Sequence, residues 1–518
     1  MHPQDYIHLI DGHLESVGND VTTATVAAEN LADACAILVD THHLRLSLLF
    51  ATDDRTVDGT FGVHGVFALD ETHGWLILSA KLPGDAPHYP SVTARVIAAH
   101  WYERYAMDMF GIVADGHPDA RRLVHHENIP ADTHPLRKDF AWNTKIAHAD
   151  VPYPMHHVEG EGVYEIPVGP IHAGIIEPGH FRFNVAGERI ITLEGKLFFT
   201  HKGVEKLLEG KTAEEALPFV ERLSGDTSAS NALAFCQAVK ANAGCAVPER
   251  ANAIRSILCE LERMTMHIHD LANIDGNGTG YTVMAAQGFR IKESLVRLST
   301  EIVGNRFWPG AIVPGGLSKD FTAEQMTKIV VVARHAHDEM TALVKMCLSA
   351  DAERERLETT GVLTKETALA FGALGVAARA SDLGRDTRLT HPYAAYSKHQ
   401  PNLVTEQSGD VYARFVVRVR ELEESDRLIA KLCATVSTGA TRVSCQPQDG
   451  FTIGAVESWR GETLFALRMK DGRIDRCMPR DPSFCNWPLF AEIGPGNIVP
   501  DFPLCNKSLD LSYSGTDM

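Results

Sequence analysis

The run PERANAIRSILCELERMTMHIHDLANI, residues 248–274, decides the fold. Its apolar residues recur three and four positions apart, which is the spacing of one buried face on an α-helix. Further long runs repeat this pattern, at residues 229–244, 289–305, 323–348 and 410–436. The sequence therefore predicts a helix bundle in the middle of the chain.

Short β-rich runs flank this bundle on both sides. Before it, residues 163–197 combine apolar stretches with Gly-Pro and Pro-Gly turns and with a polar AGER turn. After it, residues 450–474 contain short apolar runs separated by turn residues. We predict a β-hairpin or meander in the first region and short strands in the second.

The first 140 residues have a different pattern. A predicted amphipathic helix at 25–40 is followed by predicted strands at 44–52, 64–70 and 74–82. A loop-rich basic and aromatic stretch ends this part near residue 150. The protein is therefore predicted to be α+β: a small N-terminal α/β domain (1–150), then a helix-bundle domain flanked by small β-sheets (151–518).

The composition sets further limits on function. At 518 residues the chain is long enough for two hydrophobic cores. Its formal net charge of -18 argues against nucleic acid as a partner, because that binding needs clustered Lys and Arg. The best apolar candidate, Thr367–Ala378, is too short to span a membrane, and the first residues lack the pattern of a secretory signal. We expect a cytoplasmic protein.

The ten cysteines are scattered and include no C-x-x-C pair. This spacing lacks the ligand pattern of zinc sites and iron-sulfur clusters. Disulfides are also unexpected in a chain that is not exported. We predict that the cysteines are buried thiols, neither cluster ligands nor a disulfide framework.

Three sequence blocks follow one another in the N-terminal domain: ERYAMDMFGI (103–112), GHPDARR (116–122) and HPLRKDF (134–140). In this order they resemble the signature of the 30 kDa subunit of respiratory complex I. They place Arg and Asp among aromatic residues, which suits charge-assisted contacts between subunits. The resemblance implies a docking domain without catalytic residues of its own.

A second ordered series of blocks runs from Val168 to the last residue. Its members are Gly169–His172 with Glu177–Phe181, His201–Lys206, Glu260–Arg263 with His267, Pro314–Gly316, Ala378–Ser381, Asp386–Arg388 with His391–Tyr393, and Asp481–Phe484 with Asn486–Pro488. The series resembles the large subunit of nickel-iron hydrogenases of the energy-converting, membrane-bound group, and more distantly the 49 kDa subunit of complex I. A complex I-like domain in front of such a subunit resembles the formate hydrogenlyase arrangement.

The chain departs from that family at the metal site. Such hydrogenases hold nickel and iron with four thiolates, in two short motifs, because soft sulfur stabilises these metals. The corresponding positions here are Ser224, Thr227, Ser512 and Gly515, called below the four ligand positions. Hydroxyls and a glycine cannot replace four thiolates. We predict a metal-free cavity at these positions.

Two further residues, Tyr513 and Arg379, are candidates for the lining of this cavity. The complex I resemblance would require a Tyr and a His that hold a quinone headgroup, but Gly225 and Ile176 stand at those positions. Tyr513 and His180 are candidate substitutes. A quinone therefore stays a candidate ligand, and no other cofactor is expected to be bound by this chain.

Glu177, His172 and His180 are the candidate catalytic residues. Glu177 aligns with a glutamate that relays protons in the related hydrogenases, and a carboxylate beside a buried cavity suits that role. The alternative is a strand-end carboxylate that caps a turn. The two histidines lie in the same segment, within reach of Glu177 along the chain.

The resemblance also implies a structural role for several buried charges. On the helix predicted at 248–274, Arg255, Glu262, Arg263 and Asp270 are expected to form an ion-pair network. For Arg379, Asp386 and Arg388 we likewise favour structural ion pairs over proton transfer.

As a whole, the resemblance implies a subunit in the cytoplasmic arm of a hydrogenase-like or complex I-like oxidoreductase, on the inner face of the cell membrane. Implied partners are an iron-sulfur small subunit like the complex I 20 kDa subunit, a ferredoxin-like cluster subunit, and antiporter-like and complex I subunit 1-like membrane proteins. Iron-sulfur clusters in the partners would deliver electrons, since this chain has no cluster motif. The cavity would then reduce a quinone or another acceptor, or transmit changes to proton-conducting partners. The alternatives are an active hydrogenase with unusual ligands and a purely structural scaffold.

Overall fold

The structure, a computed structural model, describes residues 2–18, 20–171 and 176–518. The N-terminal domain is built around a five-stranded sheet with the strand order β1-β2-β5-β4-β3. The β2 and β5 strands pair in parallel, and the other neighbours are antiparallel. Its elements are α1 (Pro3–Leu9), β1 (His13–Val17), β2 (Val21–Thr25), α2 (Leu31–Ala36), β3 (Arg45–Asp54), β4 (Thr60–Leu69), β5 (Gly74–Pro83), β6 (His88–Pro90), α3 (His100–Phe110) and β7 (Val113–Asp115).

The three strands predicted in this domain are confirmed as β3, β4 and β5. The helix predicted at 25–40 is partly wrong, because its first residue ends β2 and the α-helix covers only Leu31–Ala36. A 3-10 turn precedes that helix and a single π-helical turn, Ile37–Thr41, follows it. The β-branched residues of β2 pair with β5, and this pairing outweighs the helical periodicity.

The second domain opens with the predicted meander, which is confirmed. Its strands are β8 (Val163–Val168), β9 (His180–Ala186) and β10 (Arg189–Lys196), in the order β10-β9-β8. The turn between β9 and β10 contains Gly187, whose φ of 63° lies in the left-handed region that glycine adopts without a steric penalty.

The predicted helix bundle follows and is also confirmed. The run that decides the fold forms α7 (Glu249–Asn273), and most of its side chains are buried. The other elements up to the last sheet are α4 (Val204–Leu208), α5 (Ala213–Val220), α6 (Ser228–Ala243), α8 (Thr282–Val303), β11 (Ile312–Val313), β12 (Gly316–Leu317), α9 (Ala323–Leu348), α10 (Asp351–Leu357), α11 (Lys365–Ala370), α12 (Gly375–Ala380), α13 (Thr387–Thr390) and α14 (Val411–Thr435). The α8 and α14 helices pack on α7, which therefore lies at the centre of the bundle.

A three-stranded antiparallel sheet packs against α6. Its strands are β13 (Gly450–Ser458), β14 (Gly461–Lys470) and β15 (Arg473–Arg480). The chain then continues through α15 (Pro482–Asn486), α16 (Phe490–Ile493), α17 (Phe502–Leu509) and α18 (Tyr513–Asp517). The tight turn between β13 and β14 carries Trp459 and Arg460, both buried.

The two domains share a buried interface. Arg45 on β3 donates two hydrogen bonds of 2.7 Å to the Glu462 carboxylate on β14, and Arg480 donates to the same carboxylate. Tyr102 on α3 stacks on Phe484 with ring centroids 4.8 Å apart. A continuous set of buried apolar side chains crosses this interface. The N-terminal domain is thus anchored by paired charges and by aromatic packing.

The prediction that all cysteines are unpaired thiols is wrong at two positions. Cys245 and Cys445 form a disulfide with their Cα atoms 5.6 Å apart, a normal separation for such a bond. The two residues lie 200 positions apart. The pair forms where the end of α6 meets the loop before β13, a loop that also hydrogen-bonds to Gly315 and Leu317, so no local spacing could reveal it.

Over the residues that the structure describes, none of the helices is both long and apolar enough to cross a membrane. The long helices carry charges along their length, as in α14, where Arg418 and Glu421 are both buried.

Candidate functional site

The four ligand positions come together at the junction of α6, α18 and the β13–β14 turn. Ser512 caps the N-terminus of α18, and its Oγ accepts from the Gly515 backbone N–H at 2.9 Å. The same hydroxyl donates to Ser224 Oγ at 3.2 Å, across 288 positions of sequence. Thr227 precedes the first residue of α6. Residues far apart in the chain therefore meet in one small polar cluster.

An ion pair occupies the centre of this cluster. Asp226 lies between two ligand positions, and its Oδ1 accepts from Ser224 Oγ at 2.5 Å and from Thr227 Oγ1 at 2.9 Å. Arg460, from the β13–β14 turn, donates to both carboxylate oxygens of Asp226, at 3.0 and 2.8 Å. The Trp459 indole N–H donates to Thr227 Oγ1 at 3.1 Å. The hydroxyls of Ser224 and Thr227 thus donate to an aspartate that is paired with an arginine.

Both members of this pair are charged at neutral pH. Burial alone would raise the pKa of Asp226, but the Arg460 guanidinium and the neighbouring hydroxyl donors hold that pKa well below its ordinary value. Burial disfavours the charged form of Arg460 as well, yet the facing Asp226 and Asp510 carboxylates raise its pKa. The guanidinium also lies 3.8 Å above the Trp459 ring centroid, a favourable cation–π contact.

The site does not suit a nickel-iron centre. A Cβ atom added at Gly515 would lie 2.6 Å from Asp481 Oδ2, so a buried carboxylate fills the space that a side chain at this position would need. Soft sulfur ligands are missing from the other three positions as well. Within the described residues, no group of three or more His, Cys, Asp or Glu side chains is placed to hold a metal ion.

Beside the ion pair lies a cavity of about 720 Å³, called the central cavity below. This volume is typical of sites for small organic ligands. Its apolar wall is formed by Ile176, Met266, Phe289, Phe307 and Leu511. Its polar wall includes Asp226, His269, Asn273, Asn277, Arg460, Asn506, Lys507, Asp510 and Tyr513. The cavity is therefore amphipathic, with both charged groups and aromatic rings in its lining.

Among the described residues that line this cavity, two carry a buried polar atom without a hydrogen bond of normal geometry. The atoms are Nδ1 of His269 and the hydroxyl of Tyr513. Burial raises the pKa of Tyr513 to about 12, so the phenol is neutral and able to donate. Burial lowers the pKa of His269, so the imidazole is also neutral at pH 7. Unsatisfied buried groups are rare in proteins, and here they offer two positions for hydrogen bonds to a ligand.

The predicted catalytic residues have different positions. Glu177 borders the central cavity, and its Oε2 accepts from the Ser514 backbone N–H at 2.8 Å, near the N-terminus of α18. The partner belongs to a distant helix and not to a turn beside Glu177, and both the proton-relay role and the strand-end alternative stay predictions. His180 is not among the lining residues, and its Nδ1 lies 2.9 Å from the Gly169 carbonyl oxygen. His172 lies outside the described residues.

Of the candidate lining residues, Tyr513 borders the cavity and Arg379 does not. Arg379 is fully buried and donates to Glu421 and Glu457, in both cases at 2.7 Å. Asp386 and Arg388 form a second buried pair at 2.6 Å. These charges lie in buried ion pairs, as the predicted structural role requires.

The charges on α7 are buried as predicted, and two of them take part in buried ion pairs: Asp270 with Arg418 at 2.6 Å, and Arg263 with Glu260 and Glu421 at 3.5 and 3.6 Å. Arg255 and Arg263 donate to backbone carbonyls in the β11–β12 hairpin and at the end of β13. Glu262 accepts from backbone N–H groups at the start of α6, and Asp270 accepts from Arg418 at 2.6 Å. Each charge therefore fastens α7 to a different neighbouring element.

Three site residues were missed at the level of sequence: Asp226, Arg460 and His269. Asp226 stands between two ligand positions, so its place in the motif was a usable signal. His269 lies on the helix predicted at 248–274, and nothing in its local sequence marks it as a cavity residue. Arg460 lies 233 residues after Thr227 in a short turn, and only the fold relates the two.

Comparison with known proteins gives the family. Escherichia coli hydrogenase-4 component G is 32% identical to the chain over 503 residues, covering 96% of this chain and 88% of the relative. The chain belongs to the family of hydrogenase-4 component G. Formate hydrogenlyase subunit 5 of the same organism is also 32% identical, over 96% of this chain and 89% of its own length. The C/D subunit of NADH-quinone oxidoreductase from Phocaeicola vulgatus is 28% identical over 78% of the chain and 82% of that protein.

Two family models match separate parts of this member of the hydrogenase-4 component G family. Residues 24–145 match the respiratory-chain NADH dehydrogenase 30 Kd subunit, and residues 278–448 match the 49 Kd subunit. Both resemblances noted in the sequence are thereby confirmed. The family consists of subunits of hydrogenase-like and complex I-like oxidoreductases, and the boundary near residue 150 stays a prediction.

Proposed function

We propose that this chain is the large subunit in the cytoplasmic arm of a membrane-associated oxidoreductase and that its ancestral metal site is metal-free. The observation that carries the proposal is the Asp226–Arg460 ion pair at the centre of the four ligand positions. The Arg460 guanidinium donates to the Asp226 carboxylate and to Thr227 Oγ1, so the chain itself supplies the positive charge at this position. Electrons would come from iron-sulfur clusters in a partner small subunit and a ferredoxin-like subunit, and the arm would rest on antiporter-like and complex I subunit 1-like membrane proteins on the inner face of the membrane.

Purification of the native assembly tests this proposal. We expect a cluster-bearing small subunit and membrane subunits to co-purify, and nickel in far less than one equivalent per chain. One equivalent of nickel that is lost in Asp226→Asn would instead favour an active hydrogenase with unusual ligands. A partnerless, monodisperse chain would contradict the assembly itself.

A second element of the proposal is that the central cavity binds a small acceptor of the quinone class. The unpartnered His269 Nδ1 and Tyr513 hydroxyl support this, because a quinone has two carbonyl oxygens that accept hydrogen bonds. The aromatic wall around Phe289 suits the ring. In this proposal His269, and not His180 as predicted from the sequence, donates a hydrogen bond to the quinone.

The test uses the purified assembly and a soluble short-chain quinone. His269→Phe and Tyr513→Phe should each weaken binding about tenfold, which is the value of one hydrogen bond of about 1.4 kcal/mol. His180→Phe, outside the cavity, is the matched control and should bind as the native protein does. Equal affinity in all variants would contradict the binding of a quinone-class acceptor by these residues. It would favour a scaffold, or a subunit that transmits charge changes to proton-conducting partners.

A further inference from the structure

The two elements that hold the ion pair, α6 and β13, lie against each other along their length. At one end of the contact are the site residues: Thr227 immediately precedes α6, and Trp459 immediately follows β13. The Trp459 indole N–H donates to Thr227 Oγ1 at 3.1 Å and to the Asp226 carbonyl at 3.3 Å. The register of α6 against β13 therefore sets where Arg460 lies relative to Asp226.

The middle of the contact is close packed. A Cβ atom added at Gly454 would lie 2.2 Å from the Ala234 carbonyl oxygen and 2.4 Å from the Ala238 backbone nitrogen. Thr452 Oγ1 donates to the Ala238 carbonyl at 3.2 Å. Only a glycine lets the strand approach the helix backbone this closely. A shift of one element must accordingly move the other.

The disulfide lies at the opposite end of the same contact. Cys245 directly follows Gly244, the C-cap of α6, and Cys445 lies in the loop that leads into β13. Beside it, the Gln448 backbone N–H donates to Asn242 Oδ1 at 2.7 Å. The covalent bond thus joins the far ends of the two elements whose near ends hold the ion pair.

This cysteine pair differs in accessibility from most of the other cysteines. Neither of its members is fully buried, and Cys245 borders a surface cavity of about 590 Å³. Most of the free cysteines are buried, and burial raises the pKa of Cys236 to about 12 and that of Cys505 to about 11. Such thiols carry almost no thiolate at pH 7 and react slowly. Disulfides in cytoplasmic proteins are mostly catalytic or redox-sensing, which bears on the location proposed above.

We propose that Cys245–Cys445 is a thiol-exchange site that controls the register of α6 and β13 and, through it, the Asp226–Arg460 pair. A dithiol reductant attacks one sulfur, the S–S bond breaks, and a mixed disulfide forms. The second thiol of the reductant then displaces the cysteine that is still held in the mixed disulfide. The protein gains two thiols and the reductant leaves as a disulfide, so two electrons and two protons are transferred. The opened form lacks the covalent restraint at the far end of the contact.

The first test is a thiol count on the full chain, purified without reductant and then denatured. Eight thiols are expected before treatment with dithiothreitol and ten afterwards, because the chain has ten cysteines and eight of them are free in the structure. A count of ten in the untreated protein overturns the proposal. Neither count depends on metal, quinone or partner subunits, so the test stands apart from the proposed function.

The second test measures amide hydrogen exchange in the native assembly before and after mild reduction. Peptides that contain Ser224–Thr227 and Trp459–Arg460 should exchange about tenfold faster after reduction, as local opening becomes easier. The Cys245→Ser variant should exchange at the faster rate from the start and not respond to reductant. Cys433→Ser, which alters a half-buried free thiol, is the matched control and should respond as the native protein does. Unchanged exchange at both peptides would show that the disulfide does not control the site.

Discussion

At the scale of single residues, the ion pair of Asp226 and Arg460 is the feature on which the proposed metal-free site rests. Its geometry is bidentate, and the side chain of Arg460 is only 5% exposed. Replacing both members of such a pair together changes the free energy of unfolding little. The loss of one partner alone leaves the other charge buried without compensation. The contribution of each residue to stability is therefore expected to depend on the presence of the other.

A double-mutant cycle tests this dependence. Arg460→Met should lower the free energy of unfolding by about 2–4 kcal/mol, less than for a fully buried pair because part of Asp226 faces the cavity. Asp226→Asn should have a similar effect. The double variant should lose less than the sum of the two, as measured by urea denaturation. Strict additivity would mean that the two charges do not interact.

Asp275, in the π-helical turn that follows α7, gives the protein a predicted pH dependence. Within the described residues, neither oxygen of its buried carboxyl group has a hydrogen bond of normal geometry, and Glu353 and Cys347 are the titratable groups that face it. Burial first, and then the Glu353 charge, raises the pKa of Asp275 to about 6. The folded state therefore holds a proton that the unfolded chain releases near its ordinary pKa of 3.8.

It follows that stability should fall as the pH rises from about 4 to about 6, by about 3 kcal/mol from this group. Asp275→Asn keeps the size of the side chain and cannot ionise. Its free energy of unfolding should exceed that of the native protein at pH 7.5 and match it near pH 4. Parallel pH profiles for the two proteins would show that Asp275 does not titrate in this range.

At the scale of secondary-structure elements, the contact of α6 with β13 should not tolerate a larger residue than glycine at position 454. Gly454→Ala places a methyl group within 2.2 Å of a helix backbone oxygen, and backbone atoms cannot move aside as a flexible side chain can. We expect a loss of about 2–3 kcal/mol in the free energy of unfolding.

Gly225→Ala is a suitable control for that experiment. An added Cβ there meets no atom of the described residues within 4 Å, although Gly225 borders the central cavity. Its unfolding curve should lie close to that of the native protein. If Gly454→Ala were equally stable, the helix and strand would have more freedom than their packing indicates.

The same elements show what sequence could predict and what it could not. The spacing of apolar residues was enough to predict α7, α14 and the strands of both flanking sheets, because burial of one face requires apolar residues at that spacing. The helix predicted at 25–40 was too long because its first residue pairs with β5, and a 3-10 turn and a π-helical turn flank the short α-helix. Motif spacing located Ser224 and Ser512. It could not locate Arg460 or pair Cys245 with Cys445, since those contacts arise only from tertiary packing.

At the scale of the whole molecule, the two domains should behave as one unit. The segment that joins them is exposed around Lys145, whereas the Arg45–Glu462 contact between the domains is buried. Trypsin should cut at Lys145 without separating the fragments, and they should elute together in size-exclusion chromatography. In urea the fragments should come apart, which serves as the control. Separate elution in native buffer would mean that the domains are held mainly by the linker.

The arginine at the centre of the ligand positions also bears on how the protein is made. A metal site is complete only after an ion has been delivered, so its folding and yield follow the supply of that ion. Here the positive charge is that of Arg460, a residue of the β13–β14 turn, and it is therefore present as soon as the chain has been synthesised. If the site is metal-free as proposed, cells grown without nickel should produce this subunit in the same amount as cells supplied with nickel.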